Sequence, residues 1–579
     1  LVVVTNAELA QIFREIALYL EMREEPFKPR AYERVAYALE ALEEPVAQIY
    51  ARRGLKGLRA IPGVGAAIAK KIKEVLESGQ LEYYECLKRE MPVDVGRLTS
   101  IEGVGPKMVK TLYQRLGIRN IADLERAARA GKIQRLPRFG EKLEQKILRG
   151  IGFLEVGSGR FPLGVVLPLI QEIQGRLQAL SAVGEVVVAG SIRRRVETVG
   201  DADILVTSSQ PAKVMEFFVS MPEVLHVGGR GRTRTTVKLK NGMNVDLRVV
   251  PEKSFGAALA YFTGSKDHNV ALRRIAQHQG FKLNEYGLFR GKRSIAGRTE
   301  EEVYGALGLP FIAPELREDR GEIAAAQEGK LPDLIGYGDL HGDLQIQTTW
   351  TDGANSIEEM AEEAKQLGLE YIAITDHTKG LAMTGGSDEK KLLRQMAAID
   401  KVNRSFKGVR VLKGAEVNID KNGDLDIRDE VLAQLDVVGV AVHSHFNLSR
   451  LEMTRRIVKA MRHPHVDILF HPTGRVIQKR EPYEVDIDGI IRAAKETGTV
   501  LEIDAYPERL DLKDEHIRKA VQIGVKLVVD SDAHSAHHMR YLELGVAQAR
   551  RGWAEKKDVI NSKPLGEFLK SLKRPVARS

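Results

Sequence analysis

The sequence is poorest in the residues that would mark it for a disulfide-stapled or membrane-embedded life. Its 579 residues include one cysteine, Cys86, which excludes an internal disulfide framework and a zinc site built on thiolates. Cys86 is expected on a helix, buried or half-buried. No apolar run approaches the ~20 residues that a membrane-crossing helix needs. The apolar start Leu1-Val-Val-Val4 lacks the basic stretch, longer apolar core and cleavage site of a secretory signal, so a cytoplasmic location is expected. Histidine is scarce as well, 14 in all, so a place where several converge carries weight. The surplus is in positive charge: the net +9 suits a partner that carries phosphates. A chain this long exceeds a single core, and roughly three to five domains are expected.

Residues 7–50 read as amphipathic helices, with Leu9, Ile12, Phe13, Ile16 and Leu20 at helical spacing and a break at Pro26 and Pro29. A glycine turn then repeats. Ile61-Pro-Gly-Val-Gly65 before a helix matches Ile101-Glu-Gly-Val-Gly105 before Pro106-Lys107, about forty residues on, and Leu136-Pro-Arg-Phe-Gly140 is a looser third copy. Such turns let backbone N–H groups approach an anion, and the helix dipole behind them favours a phosphate. The pattern resembles the helix-hairpin-helix module, which holds DNA by its backbone without reading bases. Gly63, Gly65, Gly103, Gly105 and Lys107 are the candidate DNA contacts. Lys71, on the helix after the first turn, is either a solvated lysine or a nucleophile that forms a Schiff base with an abasic sugar.

Further along, Gly190-Ser191 leads into three arginines and then Asp201-Ala-Asp-Ile-Leu-Val206. Alternation puts Asp201 and Asp203 on one face of a strand and Ala202, Ile204 and Val206 on the other. After the Asn241-Gly242 turn, Asn244-Val-Asp-Leu247 supplies Asp246 in the same pattern. Paired acids at a strand start call for a hard cation, magnesium first. Three of them can hold two such ions about 3.5–4 Å apart for nucleotidyl transfer.

The last 240 residues alternate apolar strand runs with helical patterns, which predicts a barrel of parallel strands with its chemistry at the strand C-terminal ends. Those ends carry Asp376-His377, Glu416, His443, His471, Asp532 and His534. Imidazoles mixed with carboxylates suit manganese, zinc or iron, and water activated there would cut phosphoesters.

Residues 1–318 resemble the family X DNA polymerases of the nucleotidyltransferase superfamily. The resemblance implies that Gly190, Ser191, Arg194 and Arg160 contact the incoming triphosphate. By the same likeness Asp201, Asp203 and Asp246 hold Mg2+ or Mn2+. Tyr261-Phe-Thr-Gly264 with Asn269 would pack against the sugar and the minor-groove edge of the new pair. Lys266 stands where vertebrate members carry an acid, which removes that expected base contact. Residues 336–579 resemble the PHP (polymerase and histidinol phosphatase) domain, which in bacterial family members supplies a manganese-dependent 3′–5′ exonuclease.

That domain opens in the family with His-x-His, whereas here Gln345 and Gln347 precede Thr351-Asp-Gly353. An amide oxygen is a poor substitute for imidazole toward manganese or zinc. His341 lies roughly 13 Å back along the strand, too far to replace either. The expectation is therefore a partial Mn2+ or Zn2+ cluster of Asp352, His377, Glu416, His443, His471, Asp532 and His534, with exonuclease activity weak or absent.

The expected architecture is multidomain. Helical domains span 1–80 and 81–155, an α+β palm 156–255, a thumb 256–318, a linker 319–335, and a distorted α/β barrel 336–579. The expected function is short-gap filling in DNA repair, by a monomer acting on gapped or primer-template DNA and dNTPs, with no membrane partner. Two other readings compete with it: a DNA-end-binding scaffold with a structural barrel, and a template-independent nucleotidyltransferase on RNA ends.

Overall fold

The computed structural model describes residues 4–573 apart from 41, 43, 102, 138, 157–158 and 382–383. Residues 1–3, Glu102 of the second glycine turn and Arg138 of the third therefore lie outside the described residues. The chain forms two compact units, residues 1–158 with 478–481, and residues 159–477 with 482–579.

The described part of the first unit is built on helices. The helix Asn6–Met22 opens with a reciprocal cap, in which Thr5 Oγ1 accepts the Glu8 N–H at 3.1 Å and Glu8 Oε2 accepts the Thr5 N–H at 2.8 Å. Its buried face, Leu9, Phe13, Ile16 and Leu20, packs in one core with Ile72, Val75, Val109 and Leu112. Those residues belong to Ala66–Ser78 and Pro106–Leu116, the helices that follow the first two glycine turns. Cys86 is half-buried on the helix Glu82–Glu90, as its composition suggested.

The second unit contains two large sheets. In the five-stranded sheet the order is Val183–Val188, Asp201–Ser208, Asn244–Val249, Arg234–Leu239, Val224–Arg230. Only the Asp201–Ser208 and Asn244–Val249 pair is parallel. The expected alternation stops at Asp203. Leu205 and Val206 are both buried, because Phe255, Ala258 and Leu259 cover the face that the acids share with Leu205. Each such aliphatic contributes about 1.5–3 kcal/mol by leaving water, which anchors the strand just behind the acids.

The second sheet has seven parallel strands in chain order, from Gly342–Ile346 to Leu527–Asp530. A bridge between Ile346 and Ala533, with the Gln347 N–H on Ala533 O at 2.8 Å, closes the first strand onto the last. The result is the distorted barrel that the strand alternation predicts. The strand expected at 409–412 is longer, Arg410–Asn418, so Glu416 sits inside a strand, not beyond its end.

The five-stranded sheet and the barrel share a core. Leu510 and Leu544 of the barrel half lie among Leu163, Val166, Ile204 and Leu247. Gly164 is fixed by the same closeness: a Cβ there would stand 2.6 Å from Pro507 Cβ. Residues 310–335 are charged yet well packed. Arg317 is wholly buried, donating to Glu300 Oε1 at 2.5 Å and Ile312 O at 2.8 Å, with its guanidinium 5.1 and 5.2 Å from the ring centroids of Tyr304 and Phe311. No described helix is long and apolar enough to cross a membrane.

Candidate functional site

The acids of the five-stranded sheet come together as their strand pattern demands. Asp203 stands opposite Asp246 on the parallel pair, and Asp201 lies exposed two residues before it. Asp246 is clamped: Arg234 and Arg248 reach its Oδ2 at 2.8 and 3.1 Å, and the Thr236 hydroxyl donates to Oδ1. For Asp203 the pull of the same Arg248 and Arg234 is outweighed. Burial, then the carboxylates of Asp201 and Asp246, push it up to about 6. A cation between these groups would remove the repulsion, so the residues fit the hard ion that their chemistry implies.

Beside the acids, Gly190–Arg193 forms one helical turn. Gly190 has φ 64°, and a Cβ there would stand 3.0 Å from Asp203 Oδ2, so only glycine lets the turn sit on the acid. The turn ends in a Schellman motif, with the Val196 N–H on Ser191 O and the Arg195 N–H on Ile192 O, both 3.0 Å. Arg195 takes the left-handed position, φ 56°, that glycine usually fills. The cost, of order 1 kcal/mol, is offset by its ion pair with Glu543 at 2.6 Å.

The other arginines are also held. Arg193 bonds Glu300 through both guanidinium ends, at 3.0 and 2.6 Å, and Thr263 Oγ1 at 2.7 Å. Arg194 donates to Thr263 O at 2.5 Å and Glu318 Oε1 at 3.1 Å. Arg160 bonds Thr198. Tyr261 and Phe262 meet edge to face at 5.1 Å, Arg248 lies 4.4 Å over the Phe262 ring, and Asn269 donates to Tyr261 O at 2.7 Å. Gly264, φ 72°, approaches the Arg194 guanidinium. These contacts bring Gly264 against Arg194 and Asn269 against Tyr261.

In the first unit, Gly63 and Gly103 have φ of 75° and 83°, and Gly65 and Gly105 cap their helices without a side chain. A Cβ at Gly65, Gly105 or Gly140 would meet nothing within 4 Å, so the three turns present open backbone. Lys107 sits in the first turn of its helix. Lys71 Nζ lies 4.2 Å over the Tyr83 ring.

At the barrel mouth, two groups each bring three possible ligand atoms within 4.8 Å of one another: Asp352, His377 and His534, and His377, Glu416 and His443. Glu416 is the hub. It accepts from His443 Nε2 at 3.0 Å, His471 Nε2 at 2.9 Å and Gln347 Nε2 at 2.8 Å, with His377 Nδ1 at 3.3 Å. Its burial would raise its pKa, but His377 and His443 hold it well below the usual range. Burial pushes His471 down to about 4, with the Arg509 charge adding. Burial opposes protonation of His534 too, yet the Asp532 and Asp352 carboxylates raise it. His377 Nδ1, His471 Nδ1 and Gln347 Oε1 are buried without a hydrogen-bond partner, and orphaned donor atoms at such a convergence fit a metal.

The expectation of a weak or absent exonuclease is overturned by these groups. Gln345 and Gln347 are both wholly buried, but the cluster does not depend on them. It is assembled from the loop after the first strand, which carries Asp352, and from neighbouring strands and their ends, which carry His377, Glu416, His443 and His534, and the Gln347 amide packs between Glu416 and Asp532, 2.8 and 3.4 Å away, as a donor to both carboxylates. Counting ligands along one strand missed this convergence.

Arg509 went unread in the sequence, and Asp376 takes a place other than among the ligands. Arg509 Nε lies 3.4 Å from Asp504 and 3.5 Å from Asp532. Asp376 turns away from the cluster to bond the Thr348 N–H at 2.8 Å and the hydroxyls of Thr348 and Thr351, so it orients the loop that carries Asp352. His471 and Asp532 adopt φ of 28° and 50°, strain that accompanies their aim into the mouth. Sequence spacing carries no sign of Arg509 or of these backbone and hydrogen-bond details.

A nucleotidyltransferase sheet with three facing acids and a metal-binding PHP barrel in one chain define a two-site, phosphate-handling enzyme. The comparisons with known proteins agree. Residues 4–81 match a helix-hairpin-helix domain, 95–152 a SAM-like helix-hairpin-helix tandem, 258–318 the DNA polymerase beta thumb and 343–506 the PHP domain. The chain is 37% identical over 572 residues to the DNA polymerase/3′-5′ exonuclease PolX of Bacillus subtilis (strain 168), covering 98% of this chain and 99% of that protein. It is 30% identical over 236 residues to a probable phosphatase of Thermoanaerobacter sp. (strain X514), 38% of this chain and 91% of the phosphatase. To DNA polymerase lambda of Rattus norvegicus it is 25% identical over 343 residues, 54% and 56% of the two chains. The chain belongs to the bacterial family X DNA polymerases that carry a C-terminal PHP domain.

Proposed function

We propose that the protein fills short gaps in DNA by template-directed nucleotidyl transfer at Asp201, Asp203 and Asp246, and removes 3′-terminal nucleotides at the barrel mouth. The observation that supports the first activity best is the pairing of Asp203 with Asp246 on parallel strands beside the Gly190 turn.

Magnesium or manganese, when bound by the three carboxylates, supplies the Lewis acidity for attack of the primer hydroxyl and departure of pyrophosphate. The chain's own part is to place those carboxylates and the charges around them. Arg234 and Arg248 fix the Asp246 carboxylate. Gly190, Ser191, Arg194 and Arg160 receive the triphosphate, and Tyr261, Phe262, Gly264 and Asn269 the sugar. Gly63, Gly65, Gly103, Gly105 and Lys107 hold the DNA backbone, and Lys71 is the lyase candidate, checked by borohydride trapping on abasic DNA. Divisions at 1–80, 81–155, 156–255, 256–318, 319–335 and 336–579 describe this assignment of labour, in a cytoplasmic monomer. At the barrel, Asp352, His377, Glu416, His443, His471, Asp532 and His534 would hold manganese or zinc, which would supply the Lewis acidity for phosphodiester hydrolysis.

Primer extension on gapped DNA tests the reading. Wild type extends and Asp201→Ala does not; undiminished extension by the variant removes the carboxylate mechanism. Manganese-dependent shortening of a 3′ end that survives Asp201→Ala but not Glu416→Ala separates the two sites.

A further inference from the structure

We propose that Arg551, in the barrel half of the chain, is a positioning residue for nucleotidyl transfer: it keeps Glu318 from neutralising Arg194. The proposal rests on the assignment of Arg194 to the incoming triphosphate.

Arg551 is the last residue of the helix Leu542–Arg551 and is buried. Its Nη1 donates to Arg194 O at 2.7 Å and to Glu318 Oε1 at 2.9 Å, and its Nη2 to Asp514 Oδ2 at 2.8 Å. The same Glu318 oxygen accepts from Arg194 Nε at 3.1 Å. One carboxylate is therefore divided between two guanidiniums. Asp514 is divided in the same way, between Arg551 and Arg320 at 3.0 Å. Three arginines thus share two acids, and one positive charge of the network is left over.

Arg194, at one end of this network, faces Gly264. Removing Arg551 would leave Glu318 to Arg194 alone. A carboxylate with one guanidinium partner takes it in a fork, which cancels its charge and fixes its direction. The Arg194 carbonyl, the helix-end acceptor of the short turn, would also lose its side-chain donor. The barrel helix grips this turn a second time, through Glu543 on Arg195 at 2.6 Å. The barrel is therefore part of the polymerase active site's frame.

The test uses full-length protein and single-nucleotide insertion on gapped DNA. Arg551→Ala is expected to raise KM for the dNTP about tenfold, the worth of one charged interaction, with kcat changed less than about threefold. Adding Glu318→Gln should return KM to within about threefold of wild type, because the acid that captured Arg194 is then neutral. Arg551→Lys, which keeps the charge, covers the case in which the alanine variant fails to fold, and should hold KM near wild type. Manganese-dependent hydrolysis of bis-p-nitrophenyl phosphate at the barrel should be unchanged. An Arg551→Ala protein with wild-type KM, or one whose raised KM persists with Glu318→Gln, overturns the proposal. Arg194→Ala is the control on its premise: if that variant leaves KM unchanged, the triphosphate assignment fails and the positioning role falls with it.

Discussion

Asp203→Asn should make the metal-free protein more stable and the enzyme inactive. The pKa of Asp203 rises from its ordinary 3.8 to about 6, by burial first and then by Asp201 and Asp246. A raised carboxyl pKa means that, between those values, the folded state binds a proton the unfolded state has already released. Stability therefore falls as pH rises through about 4 to 6 and stays lower above it. Two units correspond to about 3 kcal/mol, an order-of-magnitude figure at ~1.4 kcal/mol each. The amide carries no charge to desolvate, so at pH 7.5 in EDTA the variant should recover most of that loss. For so large a unit each kcal/mol moves Tm by no more than about 2 °C, so scanning calorimetry should show a rise of roughly 2–5 °C. At pH 4 wild type and variant should coincide. Magnesium should narrow the gap at pH 7.5, because it binds and stabilises only the carboxylate form well. Primer extension should fall at least about a thousandfold with the loss of a metal-binding charge. A variant that melts lower than wild type at pH 7.5 in EDTA, or a wild type whose Tm is flat from pH 4 to 7, refutes the electrostatic reasoning.

Glu416→Ala removes the hub of the barrel cluster and should lower bound manganese, read by elemental analysis after gel filtration, to half or less, while primer extension persists. Lys107→Ala should reduce the slope of log K against log salt for gapped DNA by about one unit, as expected for one lost phosphate contact; an unchanged slope removes Lys107 from the DNA path. Gly256→Ala would set its Cβ 2.1 Å from the Thr299 carbonyl carbon, and the resulting overpacking should cost about 3 kcal/mol or more in denaturant unfolding.

The acids of the five-stranded sheet were legible because a strand's period of two places Asp201 with Asp203, and one turn signal brings Asp246 alongside. The glycine turns were legible for the same local reason, since Gly63 and Gly103 need the left-handed region that glycine supplies. Barrel ligands at strand ends were found, but their tolerance of Gln345 and Gln347 was not. That tolerance depends on where Glu416, His377 and His443 converge in space, and no single strand encodes it. The charged stretch before the barrel read as a connector, yet Glu300 pairs with buried Arg317 and Arg193 together, and Arg317 also lies against the rings of Tyr304 and Phe311. Such buried charge survives only because every partner is present, and partners 17 and 107 residues apart carry no local signature.

The two sites solve the problem of holding cations in opposite ways. In the five-stranded sheet the acids lie near the start of two interior strands, with Asp201 exposed, Asp203 forced toward protonation and Asp246 tied to two arginines. Without a cation that arrangement is unfavourable, which ties its completion to the arrival of charge from outside, as a metal–triphosphate would bring. In the barrel the acid is buried but surrounded by imidazoles, so Glu416 is ionised far below neutrality while His471 is neutral down to about pH 4. Glu416 and His471 are thus already in their metal-binding protonation states at pH 7, and proton release on binding an ion is confined to groups such as His534, which its carboxylate neighbours raise. The first site is therefore built to be completed by its substrate, and the second to be complete before its substrate comes. Because Leu510 and Leu544 pack into the core beneath Asp203's strand, both are built on one rigid frame.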